Sequence, residues 1–209
     1  PILSNVLIQL KEKKLSIIAT DLDIVFYDEI KDVKVINEGS TTTSAAILYD
    51  ILRKISSNAE LNFDLKSENK LSLKVDNSDF NLLCFPTDNF PTFPDQFSED
   101  EVKIDNKKFL RLLNKTRISI SNDDTRHYLN GVYLHVTEAE GRNFLTGVAT
   151  DSHRLSSSSL EIQENLQFSS LILPRKTVFQ LCSLLSDTAE TLSIQTSENK
   201  IKFLIGNIK

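Results

Sequence analysis

The chain is poor in the residues from which compact catalytic and metal centres are built: 209 residues hold no Met, two Cys, three His, five Gly and five Pro. With glycine this sparse and unclustered, no loop can cradle a nucleotide phosphate. His127, His135 and His153, with Cys84 and Cys182, show none of the spacings of a metal site, so neither a metal nor a cofactor is expected. The two cysteines lie inside apolar runs in a chain with no secretory signature, and they read as small core residues in a reducing compartment. No apolar run approaches the ~18 residues of a membrane span, and no basic-then-apolar leader opens the chain. Starting at Pro1 and lacking Met, the chain is expected to be a piece of a longer protein.

What is present is repetition. Gly147 to Leu155 reads Gly-Val-Ala-Thr-Asp-Ser-His-Arg-Leu, and its Ala-Thr-Asp centre recurs at Ala19-Thr20-Asp21, an offset of 130 residues. The same offset relates Ser67-Glu68-Asn69-Lys70 to Ser197-Glu198-Asn199-Lys200, and Ala59-Glu60 to Ala189-Glu190. Solenoid repeats run about 20–50 residues, so this period marks duplication of a whole domain. At 40% hydrophobic the chain can bury two modest cores.

Ile2 to Leu10 and Leu15 to Asp21 have strand composition around the charged turn Lys11-Glu12-Lys13-Lys14, which predicts a hairpin. Leu22 to Ile30 and Asp32 to Ile36 extend it as a meander. Thr43 or Ser44 caps a helix with Ile47, Leu48, Ile51, Leu52 and Ile55 at helical spacing. Strands follow at Leu61 to Leu65, Leu71 to Val75 and Phe80 to Phe85. Pro86, Pro91, Pro94 and the acidic Ser98 to Glu101 break the pattern and predict a linker, dividing the chain into domains 1–95 and 96–209. The second opens with strand Val102 to Asp105 and a helix over Lys107 to Arg117. It continues with strands Leu129 to Val136 and Phe144 to Thr150, a meander to Ser159, strand Ser169 to Leu173, a helix opened by Pro174, and a hairpin around Ser197 to Lys200. The first copy therefore lacks an opening helix and the second a closing strand.

Net charge is −5, which argues against nucleic-acid binding by overall charge. The distribution is uneven. Stretches 44–55, 105–117 and 174–185 hold nine Lys or Arg against two Asp, a balance of +7, while the remainder holds 15 against 27, a balance of −12. Helices gathered on one side of the sheets would make a basic face suited to phosphate backbone without base reading. Asp151, Ser152 and His153 do not make a triad, because neighbours on a strand point to alternate sides. The competing reading is a duplicated α+β enzyme that acts on an anionic substrate through His153 and Arg154 between the copies.

Thr150-Asp151-Ser152-His153-Arg154-Leu155, with Tyr128-Leu129-Asn130-Gly131 before it and Leu173-Pro174-Arg175-Lys176 after it, resembles the bacterial DNA polymerase III beta subunit, the sliding-clamp family. Pro1 to Asn5, Ala19-Thr20-Asp21-Leu22-Asp23 and Asn89-Phe90-Pro91 fit it too. The resemblance implies an α+β DNA-clamp fold with antiparallel sheets outside and helices on the inner face. Subunits of three such domains would pair head to tail as a homodimeric ring around double-stranded DNA, and the third domain is absent here. It also implies a non-catalytic processivity factor of the bacterial cytoplasm, without sequence specificity. Its expected partners are the replicative polymerase, the clamp loader, repair polymerases and mismatch-repair proteins, held through short peptide motifs.

Carried over by residue, the second-domain wall of the family's peptide pocket is Leu129, Thr150, His153, Arg154 and Leu155. Ser152 stands where glycine is common. Phe80 and Leu82 match the dimer interface, and the DNA-facing cations would be Arg53, Lys107, Arg111, Lys115, Arg175 and Lys176. Asn122-Asp123-Asp124 would repel phosphate, so the DNA contact that some clamps make just before Tyr128 is not expected.

Overall fold

The computed structural model describes residues 2–93, 97, 101–162, 170–186, 191–197 and 200–209, which form two compact units. The expected acidic linker residues 98–100 and the repeat pairs at 189–190 and 198–199 lie outside the described residues. Unit 1 comprises Pro1–Pro94 with Asn207–Lys209, and unit 2 comprises Asp95–Gly206.

In unit 1 the strands are β1 (Asn5–Lys11), β2 (Lys14–Thr20), β3 (Val25–Ile30), β4 (Gly39–Ser44), β5 (Leu61–Ser67), β6 (Lys70–Val75) and β7 (Ser78–Phe85), with helix α1 (Ala45–Leu52) after β4. They form one antiparallel sheet in the order β3-β2-β1-β4-β7-β6-β5. The charged turn is a two-residue loop, Glu12 and Lys13 both at positive φ, the geometry that matches the twist of the flanking strands. Ser44 caps α1, its Oγ accepting from the Ile47 N–H at 3.4 Å.

Two elements depart from the sequence expectation. Asp32 to Ile36 forms no strand; Asp32 takes φ +60°, which turns the chain out of the ladder. Gly-Ser-Thr-Thr-Thr-Ser over 39–44 is a strand although no hydrophobic alternation marks it. Thr42 and Thr43 are buried there and satisfied, donating to the carbonyls of Phe85 (3.0 Å) and Leu83 (3.1 Å) in β7.

Unit 2 contains β8 (Val102–Ile104), α2 (Asn106–Thr116), β9 (Gly131–Ala139), β10 (Arg142–Thr150), β11 (Leu155–Ile162), β12 (Leu171–Pro174), α3 (Arg175–Ser186), β13 (Leu192–Thr196) and β14 (Ile201–Ile205). Its sheets run β11-β10-β9-β12 and β14-β13-β8. The first repeats the order β3-β2-β1-β4 of unit 1, α3 follows β12 as α1 follows β4, and a hairpin comes next in both. Cys84 and Cys182 are free thiols buried in the respective cores.

The amphipathic period of α2 explains its seating. Asp105 caps it, accepting from the Lys108 N–H at 2.8 Å, a negative group at the positive end of the helix dipole. Phe109, Leu112, Leu113 and Thr116 recur at helical spacing and are all buried. The approach to the sheet is close: a Cβ on Gly147 of β10 would stand 2.6 Å from Leu112 Cδ2. Gly131 is tighter still, since its Cβ would meet the Leu173 carbonyl oxygen of β12 at 2.2 Å. Gly131→Ala must push β9 and β12 apart, and a loss of about 1–3 kcal/mol is expected in denaturant unfolding. An unchanged midpoint would show that the two strands yield freely.

Candidate functional site

In both copies the Thr ends a strand and the Asp opens a turn, so Asp151, Ser152 and His153 are not strand neighbours and the alternation argument against a triad does not apply to them. The residues are nonetheless committed elsewhere. Thr150 Oγ1 donates to the Arg154 carbonyl at 2.8 Å and accepts from the Ser152 N–H at 3.2 Å, and Asp151 Oδ1 accepts from the N–H groups of His153 and Arg154, both at 3.0 Å. In unit 1 the same atoms do the same work: Thr20 with Ile24 (2.9 Å) and Leu22 (2.9 Å), Asp21 with Asp23 (3.1 Å) and Ile24 (2.8 Å). Even the backbone strain repeats, with Leu22 at φ +82° and Ser152 at φ +77°. Thr and Asp are therefore fold determinants, and chemistry must come from the residues that differ around them.

In unit 2 those residues are exposed. Ser152, His153 and Arg154 line the turn, and Leu155 is 66% exposed. Arg154 Nε pairs with Asp151 Oδ2 at 2.9 Å. The loop before β9 leans against the turn through Arg126, whose Nη1 donates to Ser152 Oγ at 3.2 Å while its Nε pairs with Asp123 at 3.3 Å. Leu129, half-buried, belongs to that loop, its N–H bonded to the Arg126 carbonyl at 2.8 Å. The fold thus brings the Leu129 loop beside Thr150 to Leu155. Arg126 is the residue that sequence reasoning missed, since nothing in the letters ties it to Ser152, 26 positions away. Its presence also offsets the acidic Asn122-Asp123-Asp124, and Asp124 accepts from Asn130 Nδ2 at 2.8 Å.

The basic residues of unit 2 expected to face DNA, Lys107, Arg111, Lys115, Arg175 and Lys176, lie on α2 and α3, which pack against each other. Asn106 at the start of α2 donates to the Leu185 carbonyl near the end of α3 at 3.4 Å, and Arg117 just past α2 lies over Phe179 near the start of α3, so the two helices run antiparallel. Lys107, Arg111 and Lys115 recur every fourth residue, all exposed, on the face opposite Phe109, Leu112 and Leu113. None of the three enters an ion pair among the described residues. Lys176 is exposed and Arg175 half-buried, its Nη1 donating to the Ser121 carbonyl at 3.4 Å. No group of three or more His, Cys, Asp or Glu among the described residues could hold a metal ion.

A family model for the DNA polymerase III beta subunit N-terminal domain matches residues 1–94, and one for its central domain matches residues 103–209. The chain belongs to the DNA polymerase III beta subunit family. It is 34% identical over 209 residues to the beta sliding clamp of Caulobacter vibrioides (strain NA1000 / CB15N), covering 99% of this chain and 56% of that relative. Against the beta sliding clamp of Escherichia coli (strain K12) it is 34% identical over 207 residues, covering 99% and 55%. Among solved structures, Caulobacter crescentus pol III beta superposes with a TM-score of 0.93 at 34% identity, covering 100% of this chain and 57% of that one. The Pseudomonas aeruginosa beta subunit gives 0.90 at 30%, covering 100% and 56%. The chain thus spans a little over half the length of the relatives it matches.

Within this beta-subunit chain three transferred residues sit differently from expectation. Leu82 is 5% exposed in the core of unit 1 and Phe80 packs on that core; the outward face of β7 carries Leu83 and Phe85 instead. Arg53 is paired with Asp50 at 3.0 Å and lies over the Tyr49 ring, so its charge is locally neutralised.

Two outcomes test the turn. The backbone N–H of Arg154, then that of His153 and the Arg154 side chain, hold the Asp151 carboxyl below its ordinary value. A depressed native pKa means that the turn's stabilisation is present above the unfolded value of about 3.9 and is lost as pH falls through the native one. A carboxyl titration followed by NMR should show a midpoint below that of a free aspartate, and one at or above it would sink the assignment. Replacing Ser152 by Gly relieves the left-handed backbone and should raise unfolding free energy by about 0.5–1 kcal/mol despite losing the exposed bond from Arg126.

Proposed function

We propose that this chain supplies two domains of a DNA sliding clamp, a non-catalytic ring subunit of the bacterial cytoplasm that encircles duplex DNA and tethers the replicative polymerase. The carrying observation is the antiparallel α2–α3 pair, which presents Lys107, Arg111, Lys115, Arg175 and Lys176 within a protein of net charge −5. Cations arrayed along helices suit sequence-independent contact with phosphate. An acidic remainder keeps that contact weak enough for sliding. No helix of the described residues is long and apolar enough to cross a membrane.

The turn beside the Leu129 loop is the proposed wall for partner peptides. Leu155 and Leu129 offer apolar contact, and Thr150, His153 and Arg154 a polar rim that suits an extended segment with an apolar anchor and an acidic flank. Through this surface the clamp would meet the polymerase, the clamp loader and repair factors. Phe80 and Leu82 keep a place in the proposed dimer interface only if that strand's inward face is reached by a second subunit. No finding supports the enzyme alternative built on His153 and Arg154.

The full-length protein should be a dimer that loads onto nicked circular plasmid and slips off once the plasmid is cut; retention on the linear form would refute encirclement. Reversing Arg111, Arg175 and Lys176 to Glu should weaken retention on the circle at least about tenfold at moderate salt, with the domain still folded.

A further inference from the structure

Phe179 is an exposed aromatic with two unneutralised cations on its ring. The Arg117 guanidinium carbon lies 5.4 Å and that of Arg175 5.5 Å from the ring centroid. Their separation is therefore no more than about 11 Å, a span that two neighbouring phosphates of one strand can bridge. Neither arginine forms an ion pair among the described residues. Arg175 Nη1 donates to the Ser121 carbonyl at 3.4 Å, which positions its guanidinium on the protein side, and both arginines are half-buried against the ring. Beside the ring is a surface depression of about 450 Å³, whose lining includes Arg175, Lys176, Phe179 and Gln180 of α3 with Asp124 and Asn130 of the loop.

The duplication supplies a control inside the same chain. At the repeat offset of 130, Phe179 corresponds to Tyr49, which also lies under a guanidinium, that of Arg53 at 5.8 Å. There the arginine is discharged on Asp50 at 3.0 Å. Unit 2 has Gln180 in the place of Asp50, and among the described residues no carboxylate pairs with Arg117 or Arg175. Two cations crowded on one ring without a counter-charge repel each other, and an anion between them removes that cost. Asp124, the one carboxylate of the depression, accepts from Asn130, and its charge limits how tightly an anion is held.

We infer that Arg117 and Arg175, spread on Phe179, form a phosphate station for the backbone of duplex DNA. Arg117 is the contact residue added by this inference, and Phe179 is a positioning residue that holds both planes. The inference rests on the clamp reading and assigns that reading a specific contact.

The test is binding of the whole chain to a short fluorescent duplex from about 50 to about 200 mM salt. Arg117→Gln should lower the slope of log affinity against log salt by about 0.9, so the fourfold rise in salt costs it about 3.5-fold less affinity than wild type. Arg117→Lys keeps the charge and should keep the slope. Phe179→Leu should leave the slope unchanged while affinity at one salt falls about threefold. Arg111→Gln serves as the reference for the wider basic face. A normal slope for Arg117→Gln beside a reduced one for Arg111→Gln overturns the station and leaves the clamp standing. Equal behaviour of the Gln and Lys variants also overturns it, as a merely structural effect. Wild-type protein with no salt-dependent duplex binding removes the station, while the plasmid-retention test of the full-length protein decides the clamp reading separately.

Discussion

Which face of α2 meets the sheet decides which face remains for anything else. The contact is set by Leu112 against Gly147, where not even a methyl group fits, and by Phe109 and Leu113 buried on the same side. Each of these three side chains contributes on the order of 1.5–3 kcal/mol by leaving water. Rotating the helix by one residue, about 100°, would forfeit most of that. Lys107, Arg111 and Lys115 are consequently held outward by the core, with no ion-pair partner among the described residues. The rigidity of the basic face is borrowed from the apolar one.

The duplicated turn teaches a different lesson about motifs. Thr-Asp is the feature that catches the eye in both copies, and it makes the same hydrogen bonds at Thr20-Asp21 and at Thr150-Asp151. What recurs is what the fold requires. Binding that differs between the copies then resides where they part, with Leu22, Asp23 and Ile24 in one and Ser152, His153 and Arg154 in the other. Exposed Leu22 with acidic Asp23, and exposed Ser152 with His153, present different surfaces on one backbone.

Much of this was legible in the sequence because it obeys a period. The helices over 45–52, 106–116 and 175–186 follow from apolar spacing and caps, and the repeat register carries from β2 and β3 to β10 and β11. β4 escaped because its burial is achieved with threonine hydroxyls that donate across to β7, a solution that leaves no hydrophobic signal. Phe80 and Leu82 show the limit of alternation, which tells that two residues share a face but not whether that face is the core. Contacts between distant side chains, Arg126 with Ser152 and Arg117 with Phe179, have no periodic trace at all and become visible only when loops and helix ends are placed.

The arrangement of charge resolves the apparent conflict between an acidic protein and a basic function. Arg126, Arg142 and Lys74, on loops and hairpins, are paired with Asp123, with Glu140 and Glu161, and with Asp79. The stripe on α2 is left unpaired, although like charges four residues apart cost a helix about 0.2–0.5 kcal/mol per pair. An ordinary solvated helix face relieves that cost by interspersing glutamates, yet α2 has no acidic residue after its cap at Asp105. The core can absorb so small a penalty several times over, so the unpaired stripe persists at little risk to the fold. A surface kept cationic in a chain with acid to spare is thereby set apart from the rest, and it matches the proposed ligand, whose phosphates bring negative charge at regular intervals.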